Sequence, residues 1–250
     1  MRSRRIRTVH RVASERIPRA VRFAVIADLH SAPFEDVLED LTRCDAVLMP
    51  GDLVDRHRKN NTWAERFLEE VPRRLPVFYS VGNHERKFRL REEWMQRVAR
   101  SEAILLDNAD TVFMGLRLGG LSSVRSGTEP DLAFLDAFEQ QPEYKLLMCH
   151  HPEMYRDYVR GRNIDLTLCG HAHGGQIQIG GRGLYAPGQG FFPELTHGVH
   201  DGGRMLISRG MTNGAKPRIP RINNPCELIL LEMNPKGEGN HDEGRAEPAG

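Results

Sequence analysis

The feature that most strongly constrains the fold of this chain is a set of short apolar runs, each followed by acidic, amide or histidine residues. Ala46–Met49 has the pattern of a short buried strand, Pro50-Gly51 ends it, and Asp52 follows at its carboxyl edge. Four further blocks follow apolar runs in the same way: Asp28-Leu29-His30, Gly82-Asn83-His84-Glu85, His150-His151 and Gly170-His171-Ala172-His173. Six of the eleven histidines fall in these blocks, which scattered surface histidines would not do. The blocks together predict one metal centre, with Asp52 as its bridging ligand.

The order of the first elements predicts an α/β fold. Strand patterns at residues 21–27, 46–49 and 77–81 alternate with amphipathic helix patterns at residues 34–41 and 63–71. Such alternation favours a parallel sheet with right-handed crossovers. In parallel sheets, functional groups collect at the carboxyl ends of the strands. The first three polar blocks are therefore expected to lie along one edge of the sheet.

The second half of the chain predicts further elements of both kinds. Helices are predicted at residues 92–99 and 131–138. Short apolar segments with glycines at residues 104–106, 111–116 and 118–121 suggest strands joined by tight turns, and therefore antiparallel pairing. The remaining strands are predicted at residues 145–149, 164–169, 205–208 and 226–231.

Charge and composition divide the chain into three parts. The first 20 residues carry seven arginines and one glutamate, which predicts a basic arm forming either an edge strand or a frayed, solvated terminus. An arm of this charge could also make peripheral contact with an anionic membrane. Residues 21–234 are predicted to form one domain with a substantial core. Residues 235–250 are rich in glycine and acidic residues and are predicted to be a disordered tail.

Composition also argues against several classes of protein. The four cysteines are scattered among apolar neighbours, which indicates free thiols in a reducing compartment. Cys149 and Cys169 lie near candidate metal ligands and could bind a metal themselves. The neighbouring residues, however, suit hard or borderline metal ions, whereas thiolates prefer softer ones. A formal net charge of +1 does not require a nucleic-acid partner. No apolar run reaches the roughly 18 residues that span a bilayer, and the basic start lacks the apolar segment of a secretory signal. We therefore expect a cytoplasmic protein.

Two of the blocks have ligand spacing of their own. In an extended segment, Asp28 and His30 point to the same side and can hold one cation, although a turn aspartate and a surface histidine would give the same pair. His171 and His173 are flanked by glycines, and two histidines at this spacing are a common ligand arrangement for Zn, Fe and Mn. Each pair alone is ambiguous, but their combination indicates a metal site.

The ordered set Asp-x-His, Gly-Asp-x-x-Asp, Gly-Asn-His-Glu, His and Gly-His-x-His resembles the calcineurin-like metallophosphoesterase superfamily. The resemblance covers residues 28–173. The segments 170–176, 208–210 and 225–228 are similar to the small bacterial phosphodiesterase branch of that superfamily. The resemblance implies a four-layer α/β/β/α sandwich of two mixed β-sheets flanked by helices. It also implies a centre of two divalent metal ions of the Mn, Fe, Zn or Mg type.

The resemblance further implies a role for each matching residue. The ligands of the first metal would be Asp28, His30, Asp52 and His173. The ligands of the second metal would be Asp52, Asn83, His150 and His171. His84 would face the substrate phosphate and protonate the leaving oxygen or stabilise charge, and Asp55 would orient His84.

Some assignments stay open at this point. His150 is preferred over His151 because it directly follows a strand, and His151 then lies behind the ligands or faces the substrate. Arg56 could grip phosphate or be a surface residue. The basic residues at positions 86–91 could receive an anionic substrate or form a solvated loop. The aromatic residues at positions 185–192 could seat an acyl chain or a base, or pack in the core.

The predicted activity is a two-metal phosphodiesterase acting on a lipid- or nucleotide-type substrate, with a water held between the metals as nucleophile. One alternative is a phosphomonoesterase, including a protein phosphatase. Another is a non-catalytic scaffold of the same fold that binds proteins, which would be expected to have lost its ligands. Nucleic-acid processing is disfavoured by the near-zero net charge and the lack of an evident stacking platform.

Overall fold

Two six-stranded sheets form the framework of the protein. The structure, a computed structural model, describes residues 5–125, 127–213 and 220–236. The strands are β1 (Ile6–Ser14), β2 (Val21–Val25), β3 (Ala46–Met49), β4 (Val77–Ser80), β5 (Ile104–Leu106), β6 (Ala109–Phe113), β7 (Leu116–Leu121), β8 (Tyr144–Cys149), β9 (Leu166–Cys169), β10 (Gln178–Ile179), β11 (Arg182–Gly183), β12 (Tyr185–Ala186), β13 (Gly190–Phe191), β14 (Gly198–His200), β15 (Met205–Ile207) and β16 (Glu227–Pro235). The α-helices are α1 (Leu38–Leu41), α2 (Thr62–Glu70), α3 (Asn83–Arg86), α4 (Arg91–Arg100), α5 (Leu132–Glu139) and α6 (Pro152–Met154).

Both sheets are mixed but have parallel centres. The first sheet has the order β1-β16-β2-β3-β4-β5, in which only the β16–β2 pair is antiparallel. The second has the order β14-β15-β9-β8-β7-β6, with antiparallel pairs at its two edges. Strands β2–β5 of the first sheet end on one side, as do β7, β8, β9 and β15 of the second, so the segments that follow them are neighbours.

Three separate apolar clusters divide the molecule into four layers. In the first cluster, Phe67 of α2 and Trp94 of α4 are buried together with residues of the first sheet. The second cluster lies between the sheets, where Phe23 of the first sheet is buried together with Leu146 of the second. In the third, Phe138 of α5 is buried together with residues of the second sheet. The predicted α/β/β/α sandwich is therefore confirmed.

The described part of the N-terminal arm includes an edge strand. β1 pairs in parallel with β16 over nine residues. The Arg5 side chain is buried, donates to the carbonyl oxygens of Met211 and Pro33 at 2.7 Å each, and pairs with Asp36. Arginines 7, 11 and 16 also form ion pairs, with Asp40, Glu232 and Asp165 respectively. Much of the charge of the arm is thus already matched, and contact with an anionic membrane stays a prediction.

The pairing predicted for residues 104–121 is wrong in part. β5 pairs in parallel with β4, and β7 pairs in parallel with β8, so only the β6–β7 hairpin is antiparallel. The short spacing of these segments was misleading, because β5 and β7 each pair with a strand outside this stretch. Gly119 and Gly120 lie inside β7. A Cβ atom on Gly120 would lie 2.1 Å from the carbonyl oxygen of Leu106, and one on Gly119 would lie 2.5 Å from the Phe138 ring. These glycines permit close packing.

Two other elements differ in type or length from those predicted. The helix predicted at residues 34–41 is a 3₁₀ turn, Glu35–Val37, followed by the four-residue α1. The spacing of the apolar residues in this segment is compatible with either type of helix. β16 continues to Pro235, and the N–H of Lys236 donates to Ser14. The rest of the predicted disordered tail lies outside the described residues. Within the described ranges, no helix is long and apolar enough to cross a membrane.

We expect Gly120→Ala to lower the free energy of unfolding by about 1–3 kcal/mol, because the added methyl group would overlap the β5 backbone. Urea denaturation measures this change. The control is Val112→Ala on the neighbouring strand β6, where the side chain is 48% exposed and a change within about 0.5 kcal/mol is expected. Equal stability of Gly120→Ala and wild type would contradict the close approach of β7 to β5.

Candidate metal centre

The five polar blocks meet where the strands of both sheets end. Asp28, Asp52 and Asn83 follow β2, β3 and β4 of the first sheet. His150 and His171 follow β8 and β9 of the second. The segments that follow the two sheets are in contact here, since the backbone N–H of His171 donates to both side-chain carboxylate oxygens of Asp28, at 3.0 and 3.2 Å. The centre therefore lies across the junction of the two sheets.

A left-handed backbone turns many of these side chains into the centre. Positive φ angles occur at Asp28 (53°), His30 (47°), Asp52 (58°), His171 (67°) and His173 (47°). Non-glycine residues rarely adopt this conformation, and each instance costs of the order of 1–3 kcal/mol. Such strain persists only where the surrounding structure fixes it, and it is concentrated at functional sites.

Two glycines bring the loops after β3 and β4 into backbone contact. A Cβ atom on Gly51 would lie 2.6 Å from the Cα atom of Gly82, and 2.9 Å from Nδ1 of His150. A Cβ atom on Gly82 would lie 2.2 Å from Oδ1 of Asp52. Larger residues at these positions would displace Asp52 and His150, so the glycines are required by the packing of the centre.

The first predicted ligand set forms a compact cluster. The Nε2 atom of His30 lies 3.7 Å from Oδ1 of Asp28, 3.8 Å from Oδ2 of Asp52 and 3.3 Å from Nε2 of His173. The Nε2 atom of His173 is in turn 3.6 Å from Oδ1 of Asp28. Ligand atoms that share one ion at about 2.0–2.2 Å are expected at such separations.

The second set shares Asp52 with the first. The Nε2 atom of His150 lies 3.2 Å from Oδ2 of Asp52 and 3.1 Å from Oδ1 of Asn83. His150, His151 and His171 each offer a nitrogen atom, and these atoms all lie within 4.8 Å of one another. The same oxygen of Asp52 thus faces His30 on one side and His150 on the other, which is the geometry that a bridging carboxylate needs.

Hydrogen bonds fix the orientation of two of the imidazole rings. Nδ1 of His150 donates to the carbonyl oxygen of Pro50 at 2.8 Å, and Nδ1 of His173 lies 3.1 Å from the carbonyl oxygen of Thr212. In both rings this leaves Nε2 directed at the carboxylates. Metal-binding histidines are commonly held in this way by a partner on the other ring nitrogen.

The electrostatics of the two sets differ. Burial lowers the pKa of His171 and His173, and lowers that of His30 to about 3, so these rings are neutral at pH 7. At His150 burial acts in the same direction but is outweighed by Asp52, and the pKa of His150 is raised to about 10. Burial also opposes ionisation of Asp52, but His150 and His84 outweigh it and lower the pKa of Asp52. A neutral imidazole is a metal ligand, whereas His150 must first lose a proton.

His84 lies beside the cluster. Its ring centroid is 4.4 Å from that of His30, and its Nε2 atom is 4.0 Å from Oδ2 of Asp52. Nδ1 of His84 is 3.5 Å from Oδ1 of Asp55 and accepts a hydrogen bond from the N–H of Arg56 at 3.1 Å. The ring is therefore positioned by the backbone of Arg56 as well as by Asp55. Burial lowers the pKa of His84, but Asp52 and Asp55 outweigh burial, so the net shift is upward.

The centre opens into a cleft of about 890 Å³. Its walls include Arg56 and Lys87, but the other basic residues at positions 86–91 do not line it. Tyr185 lines the cleft, whereas Phe191 and Phe192 are 73% and 72% exposed and so do not pack in the core.

Comparison with known proteins identifies the family. The sequence signature described as calcineurin-like phosphoesterase matches residues 21–175. The chain belongs to the calcineurin-like phosphoesterase family. An uncharacterized metallophosphoesterase of Aquifex aeolicus (strain VF5) is 26% identical, over 92% of this chain and 91% of its own length. The uncharacterized metallophosphoesterase Cj0846 of Campylobacter jejuni is 28% identical, over 77% of this chain and 51% of its own length. The crystal structure of TT1561 of Thermus thermophilus covers 60% of this chain and 81% of its own, with a TM-score of 0.41 and 16% sequence identity.

As a calcineurin-like phosphoesterase, the protein is a metal-dependent phosphoester hydrolase. The donor set fits that dependence, because carboxylates, an amide oxygen and buried imidazoles suit divalent ions such as Mn, Fe, Zn or Mg. The clusters Asp28–His30–His173 and Asp28–Asp52–His150 are each wholly buried. The predicted ligands, His84 and Asp55 are thus brought together, while the number of ions and the role of each residue stay predictions.

Glu85 is a residue of the centre to which the sequence analysis gave no role. Its buried carboxylate accepts hydrogen bonds from the N–H groups of Asp52 (3.0 Å), Val54 (3.1 Å) and Gly82 (2.9 Å). It therefore ties the loop after β3 to the loop after β4. The sequence feature that could have identified Glu85 is its position, since it is an acidic residue next to Asn83 and His84, just after a strand that is buried throughout.

We expect Glu85→Leu to leave three buried N–H groups unpaired, lowering the free energy of unfolding by about 2–5 kcal/mol and weakening metal binding by about 10- to 100-fold. Urea denaturation and equilibrium dialysis with Mn²⁺ measure the two effects. Glu69→Gln, at a carboxylate that is 62% exposed, is the control. Wild-type stability in Glu85→Leu would show that the loops do not depend on this carboxylate.

Metal binding at pH 7 is expected to release a proton from His150, because the raised pKa keeps that ring protonated until an ion needs its Nε2 lone pair. The apparent affinity for that ion should then rise as the pH approaches about 10. Isothermal titration calorimetry of Mn²⁺ binding in two buffers of different ionisation enthalpy counts the protons. Release should persist in His84→Ala, since His84 is not a predicted ligand. Binding without proton release in either protein would contradict the charge state of His150.

Proposed function

We propose that this phosphoester hydrolase is a two-metal phosphodiesterase acting on a lipid- or nucleotide-type substrate. The observation that carries the proposal is the position of Asp52. Its Oδ2 atom lies 3.8 Å from Nε2 of His30 and 3.2 Å from Nε2 of His150, so one carboxylate serves both ligand clusters. Two bound divalent ions would supply a nucleophilic water of lowered pKa and neutralise the charge of the phosphoryl oxygens.

The residues around the ions have separate tasks in this proposal. The ligands of the first ion are Asp28, His30, Asp52 and His173, and those of the second are Asp52, Asn83, His150 and His171. Asn83 contributes a neutral oxygen, which adds no negative charge to repel phosphate. The burial of the clusters lowers the effective dielectric constant around them and so strengthens the electrostatic attraction for the substrate.

His84 is suited to protonate the leaving oxygen. The N–H of Arg56 donates to Nδ1 of the neutral ring, so the general acid is the charged ring, which carries protons on both nitrogens and gives up the one on Nε2. The Nε2 atom lies 4.0 Å from Oδ2 of Asp52, and His84 lines the cleft. Asp55 stabilises the charged form of the ring from 3.5 Å. Proton transfer by a positioned side chain typically contributes about 10²–10⁴-fold in rate.

The size of the cleft favours a diester over a monoester. A volume of about 890 Å³ is at the upper end of the range for ligand sites and leaves room for two ester substituents. Arg56, which could grip a monoester dianion, has its Nε atom 3.1 Å from Nε2 of His57. The scaffold alternative is weakened because the predicted ligands are both present and clustered.

The test compares bis-p-nitrophenyl phosphate with p-nitrophenyl phosphate after reconstitution with Mn²⁺ or Zn²⁺. Two ions per chain and faster cleavage of the diester are expected. Asp52→Asn should lose both metal and activity, whereas His84→Ala should keep its metal and lose about 10²–10⁴-fold in kcat. His10→Gln, on the edge strand β1, is the matched histidine control.

Other outcomes separate the alternatives. A preference for the monoester would support the phosphomonoesterase. A protein that takes up no metal after reconstitution would refute the two-metal proposal and support the scaffold.

A further inference from the structure

A histidine and a glutamate that the proposed mechanism does not use lie beside the second ligand set. The ring of His151 stacks on that of His171, with centroids 4.1 Å apart and an interplanar angle of 18°. Glu153 places its Oε1 atom 3.0 Å from Nδ1 of His151 and 3.9 Å from Nε2 of His171. Both His151 and Glu153 line the cleft.

Two buried atoms of this pair have no partner among the described residues. They are Nε2 of His151 and Oε2 of Glu153. Because Nδ1–H of His151 donates to Glu153, the neutral ring presents Nε2 as a hydrogen-bond acceptor. A carboxylate oxygen is also an acceptor. Buried polar groups are normally paired, so the two acceptor atoms together call for two donor groups from a ligand.

The loop after β12 fixes the position of this pair. Gly188 has a φ angle of +77°, and a Cβ atom there would lie 2.1 Å from Oε1 of Glu153. Only glycine fits, and its backbone packs against the carboxylate that holds His151. Tyr185 of β12 and Pro187 of the loop line the cleft beside the pair.

The pair and His84 adjoin different ligand sets. His84 adjoins His30 of the first ligand set, at 4.4 Å between ring centroids. His151 adjoins His171 of the second set. If His84 protonates the leaving oxygen, the substituent that remains on phosphorus extends toward His151.

We propose that His151 and Glu153 form a subsite that accepts hydrogen bonds from two hydroxyl groups on the retained ester substituent, one at each unpaired atom. The inference rests on the proposed phosphodiesterase function and narrows its substrates to diesters in which the retained group is a polyol, such as a glyceryl or sugar unit. His151 and Glu153 are specificity residues in this scheme. They hold the substituent and take no part in proton transfer.

The experiment measures binding and needs no turnover. Isothermal titration calorimetry compares glycerol 3-phosphate with n-propyl phosphate, which lacks the hydroxyls, on the Mn²⁺-loaded protein. Wild type should bind the glyceryl compound about tenfold more tightly. His151→Phe keeps a ring to stack on His171 but removes both nitrogens, and it should bring the ratio of the two Kd values close to one. Glu153→Ala should do the same, and Glu39→Gln, at a carboxylate that is 82% exposed, should not.

Three results would overturn the proposal. The first is a ratio near one in wild type, and the second is a tenfold ratio that survives in both variants. The third is the loss of one metal ion per chain in His151→Phe, which would make His151 a ligand instead. Absence of diester hydrolysis would count against the proposed function alone, because the ratio of binding constants would still be measured.

Discussion

The Asp52 carboxylate is the group on which the rest of the centre depends. It lies between two buried sets of imidazoles, and its Oδ1 atom accepts the N–H of His84 at 2.8 Å. A carboxylate buried to this degree stays ionised only because positive charge surrounds it. In the protein as described, protonated His150 supplies part of that charge, and bound ions would supply it in the active enzyme.

The fold brings strained, polar loops together and holds them there. The left-handed residues at Asp28 and Asp52 would relax if the loops were free. Glu85 prevents this by accepting three backbone N–H groups, and Gly51 and Gly82 allow the two loops to touch. Because the loops rest on parallel strands of two packed sheets, the cost of the strain is offset by the three apolar clusters of the sandwich.

Residue patterns predicted most of the site, because ligand type and position after a buried strand are local properties. Asp28, Asp52 and Asn83 could be placed at strand ends from the apolar runs before them. The pairing of β5 and β7 could not be predicted, since their parallel partners β4 and β8 lie outside residues 104–121 and the short connections within that stretch favour antiparallel neighbours. Glu85 received no role for a similar reason, because its partners Asp52 and Val54 are more than 30 residues away.

The sequence alone determined the fold class, the family and the set of candidate ligands, since each depends on short patterns in a fixed order. Tertiary structure decided that Oδ2 of Asp52 is within 4 Å of both His30 and His150. It also decided that Arg56 holds His84 and that His151 and Glu153 face the cleft together. The distances from Asp52 and the contact between Arg56 and His84 join atoms of separate loops, so they are set only when the strands pair and the two sheets pack.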